Sequence, residues 1–205
     1  MTRFIALGSA AVLALAACGA PPPEPADAPA EPTAPVAPTT PGAPVSADTL
    51  TPNGFGPLRI GMTLAEVEAA LGPDSNPEAV GGPDPESCDI FHPTRAPAGL
   101  TVMIEKGVLT SIWLADASTL KTDRGFGVGD TATAIKAAYG PTANVSPHKY
   151  ASPPAEYITV WSVGGGADYV QDPAARGIAY HVGTSGRAEL VAAGGPSIQY
   201  VEGCA

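Results

Sequence analysis

The sequence predicts an α+β protein. It reads as two tandem units behind a disordered Pro-rich linker, each a short helix packed on an antiparallel three- to four-stranded meander. Three observations carry this. The segment Leu58 to Pro73 recurs without gaps as Phe126 to Pro141, at an offset of 68. Each copy is followed by runs that alternate apolar and polar residues. Ahead of both lies a stretch, residues 21–45, holding ten of the 24 prolines.

The first element is a processing signal. Met1-Thr2-Arg3 is a short basic start, and Phe4 to Leu15 is apolar apart from Gly8 and Ser9. That run is too short for a span of about 20 residues and fits the hydrophobic region of a secretory signal. It ends in Leu15-Ala16-Ala17-Cys18-Gly19. Small residues suit a narrow peptidase cleft, and the Cys thiol can take a thioether-linked diacylglycerol. The four residues Leu15 to Cys18 resemble the bacterial lipoprotein lipobox. The resemblance implies removal of residues 1–17 and lipidation of Cys18, with the bilayer as a partner through its acyl chains. Gly19, in place of Asp, implies sorting to the outer membrane, facing the periplasm, in a diderm cell.

Residues 18–52 form the tether. Pro lacks a backbone donor and fixes φ, so neither ladder forms there. An extended chain at about 3.1 Å per residue gives a reach on the order of 100 Å. The first unit is expected over residues 53–122 and the second over 123–205.

Within each unit the helix is legible. Gly61 and Gly129 permit a turn that a side chain would obstruct. Thr63 and Glu66 have capping-box spacing, and Asp130 or Thr131 can cap the second helix. Leu64, Val67 and Leu71 make one stripe, echoed by Ile135 and Tyr139. Gly72-Pro73 and Gly140-Pro141 stop the two helices. Strands are expected at Cys88 to Phe91, Leu100 to Ile104 and Val108 to Leu114, then at Tyr157 to Trp161, Ile178 to Val182 and Ala188 to Ala192. The tail Ser197 to Val201 is a further strand candidate.

The Gly-Met-Thr start, the Glu-Val helix and the Leu-Gly-Pro stop resemble the repeat of the BamE (SmpA/OmlA) lipoproteins. The tandem form resembles the β-lactamase inhibitor protein fold. The resemblance implies helices on one side of a curved sheet and a second face left for a partner protein.

Composition narrows the function. Ten basic against 20 acidic residues give a net charge of −10, which argues against a nucleic-acid partner. His92, His148 and His181 are dispersed, and no metal, phosphate-loop or nucleophile-elbow motif occurs. No catalytic residue, cofactor or metal is expected. Cys88 and Cys204 remain after Cys18, and an exported chain usually pairs such thiols, the alternative being two buried free cysteines. One helix covers one sheet face. The other face would carry Thr101, Met103, Trp113, Ala179 and His181 as candidate binding residues, unless the two sheets pack on each other. The expectation is an envelope-anchored protein-binding or structural module, not an enzyme. The alternative is a hydrolase or carbohydrate-binding envelope protein with an unrecognised site.

Overall fold

The computed structural model describes residues 48–78, 84 and 86–204. The signal, Cys18 and the linker through residue 47 lie outside the described residues. In chain order the elements are β1 (Thr49–Leu50), β2 (Gly54–Phe55), β3 (Leu58–Arg59), α1 (Leu64–Leu71), β4 (Cys88–Phe91), β5 (Leu100–Glu105), β6 (Val108–Ala115), β7 (Lys121–Thr122), α2 (Ala132–Tyr139), β8 (Asn144–Pro147), β9 (Glu156–Val163), β10 (Arg176–Val182) and β11 (Ala188–Gly194). Helices and a largely antiparallel sheet make this an α+β protein. The first strand starts at Thr49, four residues before the expected Asn53. Leu50 is fully buried and β1 pairs in parallel with β7, which draws this end of the linker into the fold.

Each helix is built by local chemistry. The Thr63 hydroxyl accepts from the Glu66 N–H at 3.4 Å, and the Glu66 carboxylate accepts from the Thr63 N–H at 2.8 Å. That is a complete capping box. At α2, Thr131 accepts from the Ala134 N–H, and with Ala at the third helical position no reciprocal bond exists. Gly61 and Gly129 precede the caps at φ +98° and +87°, where a side chain would be strained. The Gly61 N–H donates to the Leu109 carbonyl, and the Gly129 N–H donates to the Ala188 carbonyl. The Leu64 and Ala132 N–H groups donate to the hairpin carbonyls of Gly107 and Gly186. The same docking of helix start on hairpin thus occurs twice.

All seven long strands join one sheet, in the order β4-β5-β6-β11-β10-β9-β8. The central seam is β6 against β11, with Trp113 opposite Ala192. The main core lies between this sheet and the helices. Val67 and Ile135 pack there with Val102, Ile112, Leu114, Ile158, Ile178 and Val191. Tyr180 brings its hydroxyl into this core, 3.2 Å from Thr122 Oγ1 and 2.9 Å from the Tyr139 hydroxyl. Burial pushes the Tyr180 phenol far above its ordinary range, so it stays neutral.

The second sheet face is neither open nor packed on another sheet. The chain's own C-terminal tail crosses it. The expected strand over Ser197 to Val201 is instead a 3-10 turn at Pro196–Gln199, where Pro196 supplies no ladder donor. Ile198 packs on Ala179 and Ala192, flanked by Trp113, Trp161 and Leu190. The Tyr200 hydroxyl donates to Glu105 Oε1 at 3.3 Å. At Gly203, φ is +65° and a Cβ would fall 2.8 Å from the Trp113 ring, so the tail lies flat on the indole. The strap ends in a disulfide from Cys204 to Cys88 on β4, 116 residues apart in sequence.

Candidate functional site

The strap rearranges the expected binding surface. Met103 is 0% exposed and presents no docking face, and Ala179, 1% exposed, offers only a trace of surface at the base of a groove. Trp113 is half-buried, and its indole N–H donates to Ser111 Oγ at 2.8 Å. Thr101, half-buried, sits opposite Trp113 in the β5–β6 register. His181 is half-buried at the far end of β10. In the strand registers Thr101, Met103, Trp113, Ala179 and His181 share one sheet face, as the alternation in the sequence suggests. That alternation does not reveal that ten residues at the C-terminus return to cover the middle of that face.

What stays open lies to one side, between the strap and β8. There a groove of about 500 Å³ is floored by Tyr157, Thr159, Trp161, Ala179 and His181. The strand β8 forms one wall. The other walls are the loop Gly166 to Tyr169 and the tail residues Ile198, Gln199 and Val201. Gln199 fixes the loop to the tail: its side chain accepts from the Val170 N–H at 2.9 Å and donates to the Val170 carbonyl at 2.8 Å. The backbone of Gly165 lies against the Trp161 ring, which therefore supports the loop more than it offers a free stacking face. Tyr169, 61% exposed, stands at the rim.

The aromatic floor continues outward as a row. The Tyr157 and His148 rings stack at 4.7 Å, and Tyr157 meets the His181 ring edge-on at 4.9 Å. His148 Nδ1 accepts from the N–H groups of Tyr150 and Ala151, which holds that ring in place. Burial drives the His181 imidazole down to about 4, and His148 adds to the effect, against a hydrogen bond with the Ile198 backbone. At neutral pH the floor of the groove is therefore uncharged.

Ser146, Thr159 and Asp168 bring unpaired polar side chains to the groove; among the described residues none of the three donates or accepts a side-chain hydrogen bond. Among the described residues no Ser, Thr or Cys side chain is hydrogen-bonded to a His ring, so no nucleophile–base pair is assembled. No grouping of three or more His, Cys, Asp or Glu suited to a metal ion occurs among the described residues. What the arrangement can do is hold an uncharged or cationic ligand by stacking, hydrogen bonds and one carboxylate.

Of the groove's principal parts, sequence reasoning missed β8 and Tyr169. The triplet Asn144-Val145-Ser146 is short and runs into Pro147, so it carries little strand signal. Its pairing to β9, Asn144 to Thr159 through Pro147 to Glu156, comes from tertiary structure.

No family model matches the sequence, and no curated protein matches it. A solved structure of a DUF4309 family protein (YjgB) from Bacillus subtilis subsp. subtilis str. 168 is similar at 19% identity, covering 65% of this chain and 78% of that one, with a TM-score of 0.39. At that degree of likeness it bears on neither the repeat nor the function.

Proposed function

We propose that the chain is an envelope lipoprotein, anchored through acyl chains on Cys18, that works by binding another protein through the groove beside β8. The observation that carries this is the groove itself. It is an open concave site with an uncharged aromatic floor and free polar groups, and it lacks an assembled nucleophile. The Cys88–Cys204 disulfide supports an oxidising compartment outside the cytosol. Among the described residues no helix is long and apolar enough to cross a membrane, so attachment in this reading falls to the lipid on Cys18. The outer membrane, on its periplasmic side, is the proposed location.

In the same reading the two halves are copies of one helix-plus-meander unit, fused at the β6–β11 seam. The recurring Gly-to-carbonyl docking at Leu109 and Ala188 supports this, as does the resemblance to BamE-like repeats. A carbohydrate ligand is the second reading. Exposed Tyr169 beside the Ser146 and Thr159 hydroxyls favours it.

The test uses the full chain in native membranes. Intact mass should show diacylglycerol on Cys18. Crosslinked partner recovered from the envelope should fall at least about tenfold for Ser146→Arg and for Tyr169→Ala, with thermal unfolding unchanged. Recovery that ignores both substitutions contradicts the site. Tyr169 resonances that shift with neutral chito-oligosaccharide but not with partner would put the sugar first.

A further inference from the structure

We infer that the partner enters this site as an extended, basic strand that pairs with the outer edge of β8; this rests on the protein-binding reading above. Three features on one edge lead there. First, β8 has a single strand neighbour, β9. Among the described residues none hydrogen-bonds its other side, which leaves the outward-facing backbone groups of two of its four residues unpaired. Val145 is 48% exposed there. β8 carries none of the Lys residues that commonly blunt such an edge, and Pro147 limits pairing only at its last position.

Second, a groove lies on each side of this edge. Val145, Ser146 and Pro147 line both grooves, and the β8–β9 register puts Ser146 on the Tyr157 face and Val145 and Pro147 on the opposite one. The second groove, of about 300 Å³, is also lined by Pro153 and Glu156, where Glu156 meets Lys136 of α2. Side chains of an added strand alternate between the two faces of the sheet, so they would enter both grooves in turn. Main-chain bonds for affinity with side-chain pockets for selection is how strand addition recognises peptides.

Third, the charge is one-sided. No Lys or Arg lines either groove; the carboxylates that do are Glu156, already ion-paired with Lys136, and Asp168. Asp168 has no ion-pair partner among the described residues, and the whole chain carries −10. A strand bearing Lys or Arg complements that field, and an acidic strand is repelled by it.

The test is affinity selection of random seven-residue peptides on the purified full chain. Enriched sequences should alternate apolar residues with Lys or Arg and lack Asp and Glu. A selected peptide should slow amide hydrogen exchange over residues 143–147. N-methylation of alternate peptide residues should weaken it about tenfold, with methylation of the intervening residues tolerated. Asp168→Asn should weaken it by about two- to fivefold. Indifference to N-methylation, protection at β4 instead of β8, acidic or Pro-rich winners, no winners at all, or a dimer formed through β8 would each overturn the inference. Should native crosslinks still map to Ser146 in that case, the protein-binding reading survives and only the strand geometry falls. Should they be absent too, both fall.

Discussion

At one end of the sheet β4 is tied down. Its Cys88 holds the C-terminal strap by a disulfide, the Cys88 N–H donates to the Asp84 carbonyl, and the neighbouring His92 carbonyl accepts from both the N–H and the hydroxyl of Ser75. At the other end β8 has no strand paired to its outer side among the described residues, and the strap reaches that end only through an exposed Glu202–Lys149 ion pair at 3.4 Å. β4 and β8 are the two edge strands of one sheet, so the difference does not come from their place in it. It comes from ten residues at the C-terminus that cross from β11 toward β4. A chain that closes one edge with a covalent bond and leaves the other unpaired gives its sheet one latched end and one open end.

The largest effect should come from cutting the latch. A bridge closing 116 residues contributes about 5 kcal/mol in the chain-entropy model. Cys204→Ser should lower the denaturation midpoint accordingly and speed hydrogen exchange in Cys88–Phe91, with little change at β8. Equal loosening of both edges would break the comparison. Next, Ile198→Ala removes the side chain that seats the strap on Ala179 and Ala192, and should cost about 2 to 4 kcal/mol by urea unfolding. A cost below about 1 kcal/mol would show that the disulfide alone holds the tail.

The β8 side should respond to acid. His181 titrates at about 4 in the folded state, well below the ordinary imidazole near 6.5. As pH falls from about 6.5 toward 4, the unfolded chain takes up a proton that the folded one refuses, so stability falls through that window. Below it, this group adds no further slope. His181→Asn should flatten the curve of stability against pH between those limits; an unaltered curve would place the imidazole in water.

The smallest contrast is between the two caps. Thr63→Ala breaks a reciprocal box and Thr131→Ala a single bond, each costing about 1 kcal/mol, with Thr63 the larger. The N–H of Thr63 and then its hydroxyl hold the Glu66 carboxyl below its ordinary value. Stability from that pair is present above the ordinary carboxylate range and fades as pH drops through the folded value. Matching acid sensitivity in Glu66→Gln and the parent chain would contradict it.

The elements legible in the sequence are those fixed by neighbours along the chain. Thr63 with Glu66, the Gly61 and Gly129 turns, and the alternations at Leu100 to Ile104 and Ile178 to Val182 each state their own geometry. The pairing of Cys88 with Cys204 was legible only through the reading of the chain as exported, where two thiols are expected to pair. The strap was not. Ile198 and Tyr200 alternate like a strand, and only Pro196 and the flat passage of Gly203 over Trp113 tell against one. The open groove followed from that same unseen crossing, since Ile198 packed on Ala179 and Ala192 covers the middle of the face and leaves the accessible surface toward β8. Tyr169 sits in a loop whose position depends on Gln199, thirty residues further along, and no periodicity encodes such a pairing.

The central claim is that the binding surface lies beside β8 and not over the middle of the sheet. Site-specific photocrosslinking in the native envelope tests it most directly, with the reactive side chain placed at Ser146 in one strain and at Thr101 in another. The account predicts a discrete protein adduct from position 146 and none from position 101. An adduct from 101 with none from 146 would contradict it.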